Sequence, residues 1–189
     1  MKVIQLHQEE KQLIKLAVEN NRQAQQQIYA KFSSKMLSVC RQYIKDIHHA
    51  EDVMITGFMK VFTNLKNFEH KGSFEGWIRR IMVYECIDFL RVKKNNFNHQ
   101  DIEDVTISEN ESVYEMEDFS VDDIQNMIDN LPDGYRMVFN LYAIEGYKHQ
   151  EIAEMLKISE GTSKSQLSHA RKLLQQQITD LKKKLNGTK

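Results

Sequence analysis

The sequence is poor in residues that interrupt regular structure or cross-link chains. It contains one proline, seven glycines and two cysteines in 189 residues. A sheet protein needs many turns, so this scarcity favours a helical chain. Cys40 and Cys86 match no metal-ligand spacing and lie in stretches with apolar periodicity. We therefore expect both to be buried, reduced thiols of a protein that works in a reducing cytoplasm.

Long apolar runs are missing as well. The first twelve residues, MKVIQLHQEEKQ, hold no run of signal-peptide length, and no segment approaches the roughly 18 apolar residues of a membrane span. We expect a soluble, cytoplasmic protein without membrane insertion. Its 41% hydrophobic content is enough for a core and argues against wholesale disorder.

Motifs for catalysis or metal binding are equally scarce. No glycine-rich phosphate loop or nucleophile motif is present. His48 and His49 precede Glu51 and Asp52, but adjacent histidines point about 100° apart on a helix, which does not suit a shared metal. We therefore expect no catalytic residue, no metal and no cofactor.

Charge is distributed unevenly although the net charge is −1. Residues 1–96 carry +6, residues 97–120 carry −8, residues 121–147 carry −4 and residues 148–189 carry +5. Two basic regions separated by an acidic stretch are typical of a chain with two nucleic-acid contacts. The alternative is chance asymmetry on solvated helix faces.

Apolar residues at steps of three and four predict helices before the acidic stretch. A long helix covers about Ala24–Ile44, a second covers His49–Leu65, and a third covers Phe74–Lys93 with Ser73 as its N-cap. A shorter helix is expected around Leu13–Val18.

The acidic stretch itself loses the helical periodicity. We interpret residues 96–119 as a flexible linker, with a segment folded onto the first domain as the alternative. The predicted fold class is therefore all-α, with two small helical domains, 1–95 and 120–189, joined by this acidic linker.

Helical signals resume after the linker. Ser120 begins a sequence typical of a capping box, Pro132 opens the next helix, and Gly146 ends it. His149–Leu156, a turn, and a long helix capped by Ser159 then predict a helix-turn-helix. Lys157 stands in the turn where glycine is common, which costs on the order of 1 kcal/mol if the backbone there is left-handed.

The last helix combines an apolar stripe with a polar face suited to DNA. On a helical wheel Thr162, Ser165, Gln166, His169 and Lys172 point away from the stripe, and Lys164 and Ser168 flank them. Such donors, acceptors and cations can read base edges or neutralise phosphates in a major groove. The alternative is a solvated helical hairpin without a DNA role.

A second polar face lies on the third helix. Arg80, Tyr84, Asp88 and Arg91 follow one another at steps of four, four and three, near Arg79 and two further cations. Aromatic rings among cations suit single-stranded nucleic acid, because bases stack on rings while cations hold phosphates. The preceding loop, Phe68–Phe74, could hold an unstacked base. The alternative is that Tyr84 and Trp77 belong to the core.

Together the two halves resemble a known family. Ala50–Val53 (AEDV), Phe58–Phe62 (FMKVF), Gly72–Ile81 (GSFEGWIRRI) and Ile87–Arg91 (IDFLR) resemble the second conserved region of bacterial sigma factors. Leu131–Pro132, Tyr135–Phe139 (YRMVF), Glu145–Tyr147 (EGY), His149–Leu156 (HQEIAEML) and Ser159–Arg171 (SEGTSKSQLSHAR) resemble the fourth. A chain with only these regions and a linker is similar to the extracytoplasmic-function (ECF) class, over roughly residues 20–95 and 120–178.

The resemblance implies a mechanism and a set of contacts. The partners would be bacterial core RNA polymerase, promoter DNA and an anti-sigma factor. The residues implied in docking on the polymerase are Glu51, Asp52, Val53, Phe58 and Phe62. Those implied in melting and holding the −10 element are His70, Lys71, Ser73, Trp77, Arg79, Arg80, Tyr84 and Arg91. Those implied in binding the −35 element as duplex are Lys164, Ser165, Gln166, Ser168, His169, Arg171 and Lys172.

The sequence departs from the family's pattern in three places. Ile55, Thr56 and Gly57 stand where the family usually has a polar Gln-Glu or Gln-Asp pair before the next aromatic. Tyr84 stands where many members have asparagine, and His169 replaces a common arginine, so that contact is only partly charged near neutral pH. The competing functional hypothesis is a helix-turn-helix regulator that acts without docking on polymerase.

Overall fold

The computed structural model describes residues 2–96 and 119–186, and the described residues contain helices and no strand. The chain divides into two compact units, Met1–Lys93 and Lys94–Lys189. The predicted linker, residues 96–119, falls almost entirely outside the described residues. The all-α architecture predicted from the sequence is confirmed.

The described residues of unit 1 form four α-helices. They are α1 (Lys2–Val18), α2 (Arg22–Tyr43), α3 (Ile47–Asn64) and α4 (Phe74–Asn96), with a 3-10 turn at Leu65–Asn67 after α3. The prediction of a short helix around Leu13–Val18 was wrong in extent, because α1 spans 17 residues.

The core of unit 1 follows the predicted apolar stripe of α2. Ile28, Phe32, Met36 and Cys40 are each no more than 3% exposed. Aromatic rings extend this core towards the end of α3 and the start of α4, as the Phe32 and Phe74 rings lie 5.7 Å apart. Both cysteines are buried and free, as predicted.

Helices α3 and α4 meet at Gly57, which is buried. A Cβ placed there would collide with Met82 Sδ, so the missing side chain allows the two helices to approach closely. An ion pair of 2.5 Å between Lys60 Nζ and Glu85 Oε1 joins the same two helices, with the Glu85 side chain 9% exposed. Gly57 therefore serves packing inside the unit.

Unit 2 contains α5 (Val121–Asp129), α6 (Asp133–Phe139), a π-helical turn (Asn140–Ile144), α7 (His149–Leu156) and α8 (Glu160–Asn186). The predicted capping box at Ser120 is present. Pro132, predicted as the first helical residue, is the N-cap instead, with ψ at 146°. The helix that was expected to continue to Gly146 changes to the π-helical turn after Phe139, and Gly146 follows with φ at +77°.

Arg136 is an unexpected member of the core of unit 2. Its side chain is 2% exposed, and its guanidinium pairs with Asp133 at 2.6 Å and donates to the Asp129 carbonyl at 3.3 Å. A buried guanidinium needs such partners, since an unpaired buried charge costs several kcal/mol or more. The contacts join the end of α5 to the start of α6 beneath the helix-turn-helix.

Candidate nucleic-acid interface

The turn between α7 and α8 has the predicted helix-turn-helix geometry. Lys157 ends α7 in a left-handed conformation, with φ at 56° and ψ at 47°, and the Ile158 N–H donates to the Ala153 carbonyl at 3.1 Å. Ser159 then caps α8, because the Thr162 N–H donates to Ser159 Oγ at 2.9 Å. Both the left-handed turn position and the cap agree with the sequence prediction.

A buried polar contact holds α7 against α8. His149 Nδ1 lies 2.9 Å from Ser163 Oγ, and Ser163 is fully buried. The histidine ring also stacks on Tyr142 at a centroid distance of 4.6 Å, and Arg171 lies 5.6 Å from the same tyrosine ring. Sequence reasoning missed this cluster, since serine in a helix gives no periodic signal of burial.

The exposed face of α8 is rotated relative to the face predicted from the helical wheel. Lys164, Ser165, Ser168 and Arg171 are exposed, while Gln166, His169 and Lys172 are half-buried. These last three residues were predicted to point away from the apolar stripe, and each is only partly accessible to solvent.

Contacts with α6 explain the rotation. His169 stacks on Tyr135 at 5.5 Å with the rings 12° apart. A Cβ at Gly134 would lie 3.4 Å from the Gln166 amide nitrogen. Thr162 is half-buried on the same side of α8. In the first half of this helix the exposed basic residues are consequently Lys164 and Arg171, with Ser168 between them.

Lys164 forms an ion pair with an acidic residue one turn earlier on α8. Its Nζ lies 2.7 Å from Glu160 Oε1, and both side chains are more than half exposed. The hydrogen bond from Lys164 lowers the pKa of Glu160, and the positive charge of the lysine adds to the effect. A phosphate approaching Lys164 must therefore compete with a carboxylate.

In unit 1 the predicted loop brings His70 and Lys71 to the surface. His70 has φ at 56° and Gly72 has φ at +97°, so two of its residues occupy the left-handed region. The Lys71 side chain is 85% exposed and pairs with Glu69 at 2.6 Å. The Ser73 hydroxyl accepts from the Gly76 N–H at 3.0 Å, as predicted for the cap of α4.

The polar face of α4 follows this loop. Arg80, Tyr84 and Asp88 are exposed, and Arg91 is half-buried. The Arg80 guanidinium lies 5.9 Å from the centroid of the Tyr84 ring, and Arg91 pairs with Asp88 at 2.9 Å. The prediction that these four residues share one face is confirmed.

Trp77 lies beside that face without belonging to it. It is half-buried and stacks on Phe74 at 5.9 Å, with Phe68 5.5 Å away. Arg79 is also half-buried. Trp77 thus belongs partly to the core, as the alternative interpretation held, while Tyr84 is 37% exposed.

Two of the five residues implied in polymerase docking are buried. Val53 is 6% exposed and Phe58 is 2% exposed, so both side chains lie in the core of unit 1. Phe58 instead packs against Tyr29 at a centroid distance of 4.8 Å. Asp52 is exposed, and Glu51 and Phe62 are half-buried, so these three can still be reached by a partner.

The outer face of α3 is partly apolar. Ile55 is 49% exposed and Met59 is 66% exposed, one turn apart. Thr56 is exposed, and its hydroxyl donates to the Asp52 carbonyl at 2.9 Å. Asp46 caps this helix: its carboxylate accepts from the His49 N–H at 2.9 Å, which lowers the pKa of Asp46.

Among the residues that the structure describes, no helix is both long enough and apolar enough to cross a membrane. In the same residues, no three His, Cys, Asp or Glu side chains come together as a candidate metal site.

Comparison with known proteins identifies both units. Residues 28–96 match the family model for sigma-70 region 2, and residues 121–174 match the model for sigma-70 region 4. The helix-turn-helix lies in the second of these ranges, and the loop with the polar face of α4 lies in the first.

Curated relatives match along most of the chain. The ECF RNA polymerase sigma factor SigW of Bacillus subtilis is 31% identical over 163 residues, covering 79% of this chain and 86% of that protein. The ECF RNA polymerase sigma-E factor of Haemophilus influenzae is 23% identical over 184 residues, covering 89% and 95%.

A solved structure shares the fold. The sigma factor RpoE of Bartonella quintana, solved in complex with the anti-sigma factor NepR, superposes with a TM-score of 0.53 at 19% identity, covering 82% of this chain and 96% of that chain. Both region models in the expected order, together with the match to SigW, establish that this chain belongs to the ECF sigma factors of bacterial RNA polymerase.

Proposed function

We propose that the two units are two promoter-binding domains of one initiation factor. As an ECF sigma factor, the chain binds core RNA polymerase and directs promoter-specific transcription initiation. The observation that carries the residue-level proposal is the exposed basic face of α8, next to a well-formed helix-turn-helix turn. Unit 2 would hold the −35 element as duplex, and unit 1 would hold the −10 element after melting.

The −35 contact is centred on Lys164, Ser168 and Arg171. These side chains are exposed at successive steps of four and three, so they form one strip along α8. Ser165 is exposed at one edge of the strip, and Gln166, His169 and Lys172 contribute from their half-buried positions. Cations at both ends of the strip would hold phosphates, while the hydroxyl groups can reach base edges.

The −10 contact combines the loop with the polar face of α4. His70 and Lys71 are exposed in the loop, and Arg80 and Tyr84 form a cation–π pair on α4, the helix that follows the loop. A melted strand can stack a base on the tyrosine while the guanidinium groups of Arg80 and Arg91 hold phosphates. We assign Trp77 and Ser73 to positioning, because one supports the loop by stacking and the other caps α4.

Polymerase docking is assigned to the outer face of α3. Asp52 is exposed, with Glu51 and Phe62 half-buried beside it. Val53 and Phe58 would orient α3 from the core. Exposed Ile55 supplies apolar area where the family usually presents a polar pair, and exposed Met59 adds to it one turn further along α3, so apolar contact can replace polar contact there.

Three further points follow from family membership. Sigma factors are non-enzymatic initiation factors, and we propose that this chain catalyses no reaction. Its place of action would be the cytoplasm, where polymerase and chromosome are found. The Bartonella quintana RpoE structure contains an anti-sigma factor, and we propose that a protein of that kind also holds this chain inactive.

Run-off transcription with core polymerase and genomic promoter fragments tests the −35 assignment. Lys164→Ala combined with His169→Ala should abolish −35-dependent transcription while co-purification with core polymerase is unchanged. Lys183→Ala is the control, because it removes an exposed lysine from α8 outside the proposed strip. Lost polymerase binding in the double variant would place these residues in the wrong role.

Permanganate footprinting of the same promoter fragments tests the −10 assignment. Arg80→Ala or Arg91→Ala should leave duplex binding by unit 2 intact but block promoter opening, detected as loss of permanganate-reactive thymines. A wild-type chain that binds duplex DNA but does not co-purify with core polymerase would overturn the sigma function in favour of a regulator acting alone.

A further inference from the structure

A groove in unit 1 lies between α1 and the segment that follows α3. Its volume is about 270 Å³. Ile14 of α1 and Leu65 and Phe68 from the other side form its apolar floor, and each is no more than 8% exposed. Lys11, Lys15 and Lys66 line its rim and are exposed. The groove therefore combines an apolar base with cations on both walls.

The three rim lysines differ from Lys31 and Lys35 of the same unit. Lys31 pairs with Glu10 at 2.8 Å, and Lys35 pairs with Glu75 at 2.8 Å. Lys11, Lys15 and Lys66 form no ion pair with any residue in the described part of the chain. One acid, Glu19, also lines the groove, so the lining carries more positive than negative charge.

The groove continues into the loop assigned above to the −10 strand. His70 belongs to that loop and also lines the groove, and its ring lies 4.7 Å from that of Phe68. Val18 of α1 also lines the groove and is 40% exposed, which leaves an apolar side chain for a base to cover. Single-stranded nucleic acid requires this combination of apolar surface and cations, because bases and phosphates alternate along the strand.

We propose that this groove binds single-stranded DNA adjoining the −10 segment, with a base over Val18 and Phe68 and phosphates at Lys11, Lys15 and Lys66. The groove is too small for a duplex, whose two strands and paired bases would not enter it. The inference rests on the proposed −10 role of the loop and adds α1 to the DNA-binding surface.

Holoenzyme made from core polymerase and the full chain tests the proposal on two fluorescent fork DNAs. In one fork the non-template strand ends with the −10 segment, and in the other it continues as a single-stranded tail. Wild-type holoenzyme should bind the tailed fork more tightly. Lys11→Gln combined with Lys15→Gln should lose that gain and leave binding of the untailed fork unchanged.

Salt dependence separates a phosphate contact from a structural effect. Each phosphate contact on a single strand contributes about 0.7 to the slope of log affinity against log salt, so losing two contacts should reduce the slope for the tailed fork by about 1.4. Between 1 M and 0.1 M salt, the affinity of the wild type for the tailed fork should therefore rise about 25-fold more than the affinity of the variant. The matched control, Lys31→Gln with Lys35→Gln, removes the same charge outside the groove and should behave as wild type.

Two results would overturn the proposal. Equal affinity of the groove variant and the wild type for the tailed fork would show that the lysines do not contact the tail. An equal loss in the control variant would show a general charge effect. Failure of wild-type holoenzyme to bind the untailed fork would contradict the −10 role itself, and is thereby distinguishable from failure of the groove alone.

Discussion

Replacing Lys157 by glycine should stabilise unit 2. Lys157 ends α7 with φ at 56° and ψ at 47°, in the left-handed region where a side chain crowds the backbone. Glycine adopts this conformation without that cost and is the preferred residue at such helix ends. The turn hydrogen bond from the Ile158 N–H to the Ala153 carbonyl should be unaffected, because it involves no atom of the lysine side chain.

The expected gain is on the order of 1 kcal/mol, which is the left-handed penalty for a non-glycine residue less the greater freedom of glycine in the unfolded chain. For a domain of this size a gain of 1 kcal/mol raises the Tm by about 4–8 °C. Far-UV circular dichroism of the full chain follows both units. The single tryptophan, Trp77, lies in unit 1, so its fluorescence follows that unit alone.

The result that supports the reasoning is specific to unit 2. The dichroism transition of unit 2 should move to higher temperature, while the Trp77 transition stays where it is. Lys157→Ala serves as the control, since it removes the charge but keeps the left-handed penalty, and should give no gain. Equal stabilisation by alanine would attribute the effect to charge, and no gain from glycine would refute the backbone explanation.

Three further outcomes are expected. Gly57→Ala should lower the free energy of unfolding of unit 1, followed by Trp77 fluorescence, by about 1 kcal/mol. Overpacking against buried Met82 costs about 2 kcal/mol, and the better helix propensity of alanine returns about 1 kcal/mol. Asp123→Asn should reduce the loss of unfolding free energy that unit 2 shows at acid pH, measured by urea titrations at several pH values. The capping serine lowers the pKa of Asp123 below its usual 3.8, so its contribution is present above about pH 4 and lost as pH falls through the lowered value. Glu160→Gln should strengthen −35 duplex binding by about 1.5- to 5-fold in anisotropy titrations, because it removes the exposed carboxylate that pairs with Lys164 and competes with a phosphate; unchanged affinity would argue against a phosphate contact at Lys164.

Several features could be predicted from the sequence because they depend on neighbouring residues. The caps at Ser73, Ser120 and Ser159 each join a side chain to a backbone N–H three residues later. A contact of that span forms whenever the local helix forms. The left-handed position of Lys157 likewise follows from the turn that the helix-turn-helix pattern requires. The buried stripe of α2 follows from helical periodicity alone.

The candidate site could be predicted only in outline. A helical wheel gives the angle between side chains but not how many neighbours a helix has. Because α8 packs against α6 as well as α7, Gln166 and His169 turn towards Gly134 and Tyr135. Val53 and Phe58 stand in a motif associated with docking, yet packing of α3 in the core buries both.

By itself the sequence determined that the chain is helical, where Ser73, Ser120 and Ser159 cap three of its helices, and that one of its units carries a helix-turn-helix. The tertiary structure decided which polar residues are exposed on that motif, and it brought Lys11 and Lys15 of α1 to the same groove as Lys66. The physical reason is distance along the chain. Caps and turns are completed within a few residues, whereas a surface shared by residues about fifty positions apart exists only after hydrophobic packing has brought their helices together.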